Sequence, residues 1–135
     1  MEAPAREGGP MITLSMPYPP STNRLWRSAR TNGKTKVLSS DEAKRFYSHA
    51  AVAIAEQGAR GRKLAGPIEM TVTLYPRNRA KFDIDNRLKS LLDAFTKSAV
   101  WIDDSQVQRI TVERAEEIVK EGRCIVTIST IGERS

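Results

Sequence analysis

One cysteine and one histidine are all that this chain of 135 residues offers to thiol chemistry or a nitrogen-rich metal site. That scarcity excludes a disulfide framework and a structural zinc site, and it makes a reducing, cytoplasmic setting the expectation. The cysteine, Cys124, lies in the apolar run CIVTI, where a thiol behaves as a small hydrophobe. No apolar run approaches the roughly 18 residues of a membrane span, and the opening MEAPAREGGP has no core of signal-peptide length. A soluble protein is expected, without a membrane partner. Acidic residues are missing altogether from Pro17 to Ser40, although the chain has 16 of them.

What occupies that gap is positive charge. Arg24, Arg27, Arg30, Lys34 and Lys36 recur every two to four positions. A second basic cluster is Arg60, Arg62 and Lys63, and a third, Arg77, Arg79 and Lys81, runs directly into aspartates. Any one cluster reads as solvated loop charge. Three of them around one acidic centre, in a chain of formal charge +6, point to phosphate and hence to nucleic acid.

The length fits one domain, residues 11–135, behind a flexible lead-in of residues 1–10. Met11 to Met16 alternates as a first strand, which Pro17 stops. PYPPSTNRLWR then reads as an ordered loop, with Trp26 as a loop-root anchor or a base-stacking platform. Ser39 and Glu42 form a capping box, and Ala43, Phe46, Tyr47, Ala50, Ala51 and Ile54 mark the buried face of a helix that Gly58 ends. His49 falls off that face, as an ordinary surface histidine does. Pro67 to Tyr75 alternates as a half-buried strand, and Leu88, Leu91, Leu92 and Phe95 give a second helix from about Asp85 to Ser98. Val107 to Arg114 and Arg123 to Ile131 are rich in β-branched residues and read as an antiparallel pair turning through Gly122. The order β-α-β-α-β-β predicts an α+β fold, a small domain with two helices on a mixed, mostly antiparallel sheet.

Five of the six aspartates fall between Asp83 and Asp104, in DIDNRLKSLLDAFTKSAVWIDD. Asp83 and Asp85 could cap the second helix, but one cap needs one carboxylate. An EF-hand fails, because the sixth position is Leu88 and the twelfth Ala94. Lys89 lies one helical turn after Asp85, either as an i,i+4 partner of Asp85 or Asp93 or as a cation over a bound phosphate. Asp103 and Asp104 precede a strand, where a turn also favours aspartate. Taken together, the pair, the lysine and the later pair supply the oxygen ligands and the cation that Mg²⁺-dependent phosphodiester hydrolysis requires. A helix of about 14 residues carries the chain roughly 20 Å from Asp85. Asp104 then returns along the helix, or the helix ends early, or the site draws Asp104 from a neighbouring subunit.

FDIDNRLKSLLDAFTKSAVWIDDSQV, with the earlier PYPPSTNRLWR, resembles the RusA family of crossover-junction endodeoxyribonucleases from the first strand to the last. The resemblance implies a homodimer that binds four-way (Holliday) junction DNA in recombination and repair. It would cut two opposing strands with Mg²⁺, or Mn²⁺ in its place. It places metal on Asp83, Asp85 and Asp104, makes Lys89 a catalytic companion and Asp103 a supporting acid, and puts Asn86, Asn23, Arg24 and Arg27 at recurrent family positions. The DNA-binding set is then Asn23, Arg24, Arg27, Arg30, Lys34, Lys36, Arg77, Arg79 and Lys81. Phe82 departs from a family pattern that has a basic residue there, which bears on the grip on the cut-site phosphate. The competing expectation is a non-catalytic basic DNA-binding module whose aspartates only cap and turn.

Overall fold

Alternation in the sequence becomes alternation in burial. The computed structural model describes residues 11–20, 41–79 and 87–131. They form strand β1 (Met11–Met16), helix α1 (Asp41–Glu56), strand β2 (Ile68–Tyr75), helix α2 (Leu88–Lys97), a 3₁₀ turn (Asp104–Gln106), strand β3 (Val107–Arg114) and strand β4 (Arg123–Thr130). Every second residue of β1, β2 and β4 is buried, and those rows align across the sheet: Leu14 pairs with Val126, which pairs with Val72. The helices cover that face with Phe46, Ala50, Ile54, Leu91, Ala94 and Phe95 in one continuous core. This is the expected α+β layering of two helices on a four-stranded mixed sheet.

The strand order is β1-β4-β2-β3, with β2 and β3 parallel and the other pairs antiparallel. The expected antiparallel pair of β3 with β4 is therefore not formed; β2 lies between them. Burial explains why. β2 and β4 each carry a fully buried row, so both belong under the helices, whereas β3 is exposed along most of its length and suits an edge. Gly122 does take the positive φ expected of it, +78°, but in a longer connection that passes over the end of β2. Ala115 N donates there to Leu74 O at 2.9 Å and Val119 N to Pro76 O at 3.0 Å.

Both helix ends are set by the chain's own backbone. Gly58, at φ +78°, closes α1: Ala59 N donates to Ile54 O and Gly58 N to Ala55 O, the paired bonds of a Schellman motif. The described α2 starts at Leu88, with Arg87 at its N-cap and no side-chain cap bond. Asp83 and Asp85, the expected caps, lie outside the described residues. α2 ends through the same motif with Ala99 at φ +58°, and Val100 is driven into the core beside Phe95. On α1, Ala51 is exposed, unlike the rest of its predicted face, and His49 is exposed as expected. Ser39 and Trp26 lie outside the described residues.

Candidate functional site

Because β2 and β3 are parallel neighbours, the chain leaving one end of β2 must come back to the other end before β3 begins. The ten residues of α2 cover about 15 Å of that return. The described part of the aspartate stretch, Arg87 to Asp104, therefore runs along the sheet from one end of β2 towards the other.

The Asp104 end is built on Trp101. Its ring is fully buried, meets Phe95 edge-on at 5.4 Å between centroids, and donates from Nε1 to Thr96 Oγ1 at 2.8 Å. Trp101 also bridges to Leu64, so the segment that follows leaves from a fixed point. Asp103 caps the 3₁₀ turn, its Oδ2 accepting from the backbone N of Ser105 at 3.0 Å and from the Ser105 hydroxyl. Those bonds hold the Asp103 carboxyl below the ordinary aspartate range. Gln106 completes the box: its Oε1 accepts from Ile102 N and Asp103 N, both at 2.8 Å. Its Nε2 donates to Leu64 O and Gly66 O, both at 2.9 Å. The turn is thereby tied to a loop some forty residues away.

Asp104 differs from its neighbour. Its side chain is exposed, and among the described residues its carboxylate has no hydrogen-bond or ion-pair partner. A rigid turn presenting one uncommitted carboxylate suits a divalent cation's oxygen donor set. Asp103, whose acceptor oxygen is already used, fits the supporting part. Among the described residues no three His, Cys, Asp or Glu side chains come together as a metal cage, so Asp104 alone does not make a site.

The other end of β2 is basic and aromatic. Arg87, the first described residue after DIDN, stacks over Tyr18 at 4.8 Å from the ring centroid and donates from its guanidinium to Pro19 O at 2.7 Å. Arg77 approaches the same ring at 5.8 Å, and Arg123 lies 5.9 Å from the Tyr75 ring. Burial raises the Tyr18 pKa against the opposing pull of Arg87, Arg77 and Arg114. Gly122 packs directly beneath: a Cβ there would sit 2.8 Å from Tyr18 Cγ and 2.9 Å from Arg77 Cγ. Beside it, Asn78, Arg79, Arg114 and Glu116 line an open cleft of about 470 Å³.

Lys89 is exposed in the first turn of α2. Asp93 is not its helix partner, as expected from spacing; it accepts instead from Tyr47 Oη at 3.3 Å, the phenol reaching it from α1. Of the predicted site residues, Lys89, Asp103, Asp104, Arg77 and Arg79 are described, with both arginines exposed. Asp83, Asp85, Asn86, Lys81, Asn23, Arg24, Arg27, Arg30, Lys34 and Lys36 lie outside the described residues. Sequence reasoning missed Gln106, although D-x-x-Q is a legible capping box. It also missed the Tyr18–Arg87 stack, whose partners are too far apart in sequence for any local pattern to join.

A protein-family model described as Endodeoxyribonuclease RusA matches residues 17–129. The crossover junction endodeoxyribonuclease RusA of Escherichia coli (strain K12) is 32% identical over 120 residues, spanning 89% of this chain and 95% of that protein. Its namesake from Shigella sonnei (strain Ss046) is 31% identical over 120 residues, with the same coverage. The one from Enterobacteria phage 82 is 31% identical over 119 residues, 88% of this chain and 94% of the phage protein.

Proposed function

This chain belongs to the RusA family of endodeoxyribonucleases, and on that premise we propose that it acts as a homodimer. It resolves four-way DNA junctions by paired, Mg²⁺-dependent hydrolysis in recombination and repair. Family membership sets aside the reading of the chain as a binding module alone. No described helix is long and apolar enough to cross a membrane, in keeping with a cytoplasmic setting.

The observation that carries the proposal is the contrast within the Asp103–Asp104 pair. One carboxylate is spent on capping and the other is held out on a bolted turn. Asp83, Asp85 and Asp104 would hold the cation, Mg²⁺ or Mn²⁺. When bound, it supplies Lewis-acid polarisation of the scissile phosphate and a more acidic water. Lys89 stabilises charge on the phosphate oxygens, and Asp103 keeps the turn shaped so that Asp104 stays in place. Asn86 supports the acidic pair. Arg77, Arg79, Lys81 and the loop residues Asn23, Arg24, Arg27, Arg30, Lys34 and Lys36 hold the DNA backbone.

Of the three routes for Asp104, the strand geometry favours the one through a second subunit. Asp104 lies beside Val107, which pairs with Ile68 at the start of β2. Arg87 lies against Tyr18, just beyond Met16, in line with Cys124 and Leu74 near the strand's end. Ile68 and Leu74 are about 20 Å apart at strand rise. Asp85 stands two residues before Arg87 in the sequence. That separation supports a site completed by Asp104 of a second subunit.

Cutting of a four-way junction, a linear duplex and a single strand, each with Mg²⁺ or EDTA, tests the activity. Junction-selective, EDTA-sensitive cleavage is expected, and equal cutting of all three substrates would refute it. Mixing inactive Asp85→Asn and Asp104→Asn proteins tests the shared site. Heterodimers should regain one intact centre and nick one strand, whereas a site within one chain predicts no recovery.

A further inference from the structure

Between α1 and the last turn of α2 lies a cleft of about 320 Å³, lined by Tyr47, Ala51, Arg60, Ala94, Lys97 and Ser98. The two alanines leave its floor open, and both charged side chains in the lining are cations. Lys97 is held: its Nζ sits 4.6 Å from the centroid of the Tyr47 ring. The ring is fixed in turn by an edge-on contact with Phe46 at 5.6 Å and by its hydrogen bond to Asp93. The nearby Asp93 carboxylate is thus occupied, and it is not part of the lining. Arg60 stands on a loop anchored at both sides, since Ala59 is fully buried and Gly61 N donates to Ser98 O at 3.0 Å.

The cleft shares its end of the sheet with Asp104. The loop carrying Arg60 runs alongside residues 98–101, Lys63 N bonding Ala99 O and Leu64 N bonding Val100 O, and then reaches the carbonyls that Gln106 grips. Arg60 is therefore at most about 14 Å from Leu64 along the chain. A guanidinium and an ammonium facing one open, small-floored cleft match a phosphodiester better than an apolar or cationic ligand.

We propose that the Arg60–Lys97 cleft is a DNA-backbone subsite, holding one phosphate of the junction at the same end of the sheet as Asp104. The proposal rests on the junction-cutting reading above and adds an anchoring point outside the basic loops that precede and flank the aspartates. Arg62 and Lys63, exposed on the same loop, extend the positive rim along the strand's path.

The test is junction binding by the full chain in EDTA across a range of NaCl concentrations. In the double variant Arg60→Gln, Lys97→Gln the slope of log K against log salt should fall by about 1, at roughly 0.9 for the one phosphate that is no longer neutralised. Affinity at about 0.1 M salt should drop on the order of tenfold. Single-turnover cleavage of saturated junction with Mg²⁺ should stay within about twofold of wild type, as for a group that holds DNA without touching the reacting atoms. The control is Lys44→Gln, Arg45→Gln, which removes two exposed cations of α1 outside the cleft. An unchanged slope in the folded Arg60/Lys97 variant, or an equal loss in the control, overturns the subsite. Junction cutting by the wild type is read separately, so the subsite can fail while the function stands.

Discussion

The two ends of β2 hold their loops by different chemistry. At the Leu74 end, side chains stack on side chains: Arg87 and Arg77 meet the Tyr18 ring over a glycine floor. At the Ile68 end, one glutamine makes four hydrogen bonds to backbone groups and an aspartate caps the turn. Stacked guanidinium groups keep their charge. Backbone-directed bonds use up the side chains of Asp103 and Gln106 and leave the Asp104 carboxylate exposed. At the Leu74 end cations stack on a ring, and at the Ile68 end a hydrogen-bonded turn holds out a carboxylate.

Substitutions can break this contrast. The largest effect is expected at Asp104, where Asp104→Asn should lower single-turnover cleavage on the order of 10²–10³-fold. Junction binding in Ca²⁺ should stay near wild type. Asp103→Asn, which keeps an acceptor oxygen for the Ser105 amide, should cost far less activity, and equal losses from the two would erase the distinction drawn between them.

Gly122→Ala attacks the stacked end. It forces a Cβ against Tyr18 and Arg77 at a positive φ, so a loss of about 2–4 kcal/mol is expected in urea unfolding. Gln106→Ala attacks the bonded end and should cost about 1–2 kcal/mol, since it removes four hydrogen bonds to backbone groups, one of them part-buried. Its cleavage rate should fall more than its DNA affinity, because the turn it releases carries Asp104. If Gln106→Ala weakened binding and left the rate intact, the roles of the two ends would have to be exchanged.

The smallest effect is a titration. Hydrogen bonds from Ser105 depress the Asp103 pKa in the folded state. The stabilisation from the capped turn is therefore present above the ordinary aspartate pKa of about 3.9 and is lost as pH falls through the lower, folded value. The Ser105 amide resonance should titrate with a midpoint below that ordinary value, and a midpoint above it would show that the cap is not formed in solution. Cys124 gives no comparable handle, because burial pushes its thiol up to about 12.

Much of this arrangement was legible without coordinates. The leucine stripe, the alternation of β1 and β2 and the glycine stop at Gly58 are local patterns, set by side-chain spacing and by which residue tolerates a positive φ. Local spacing did not separate Asp103 from Asp104, since either residue suits a turn; the resemblance alone told them apart, and the Ser105 and Gln106 bonds show that Asp103 is the one that caps. Asp93 misled for a similar reason: helical spacing offers it Lys89, but packing of the two helices delivers Tyr47.

The sequence by itself determined the element order, the buried faces and the chemistry on offer, namely clustered aspartates in a basic chain with a family's motifs at their proper separation. These depend on residue type and near-neighbour spacing. Only the tertiary structure decided that β2 separates β3 from β4 and that Arg87 to Asp104 runs back along the sheet. Strand order is chosen by which rows can be buried under the helices at the same time, and that competition involves the whole chain.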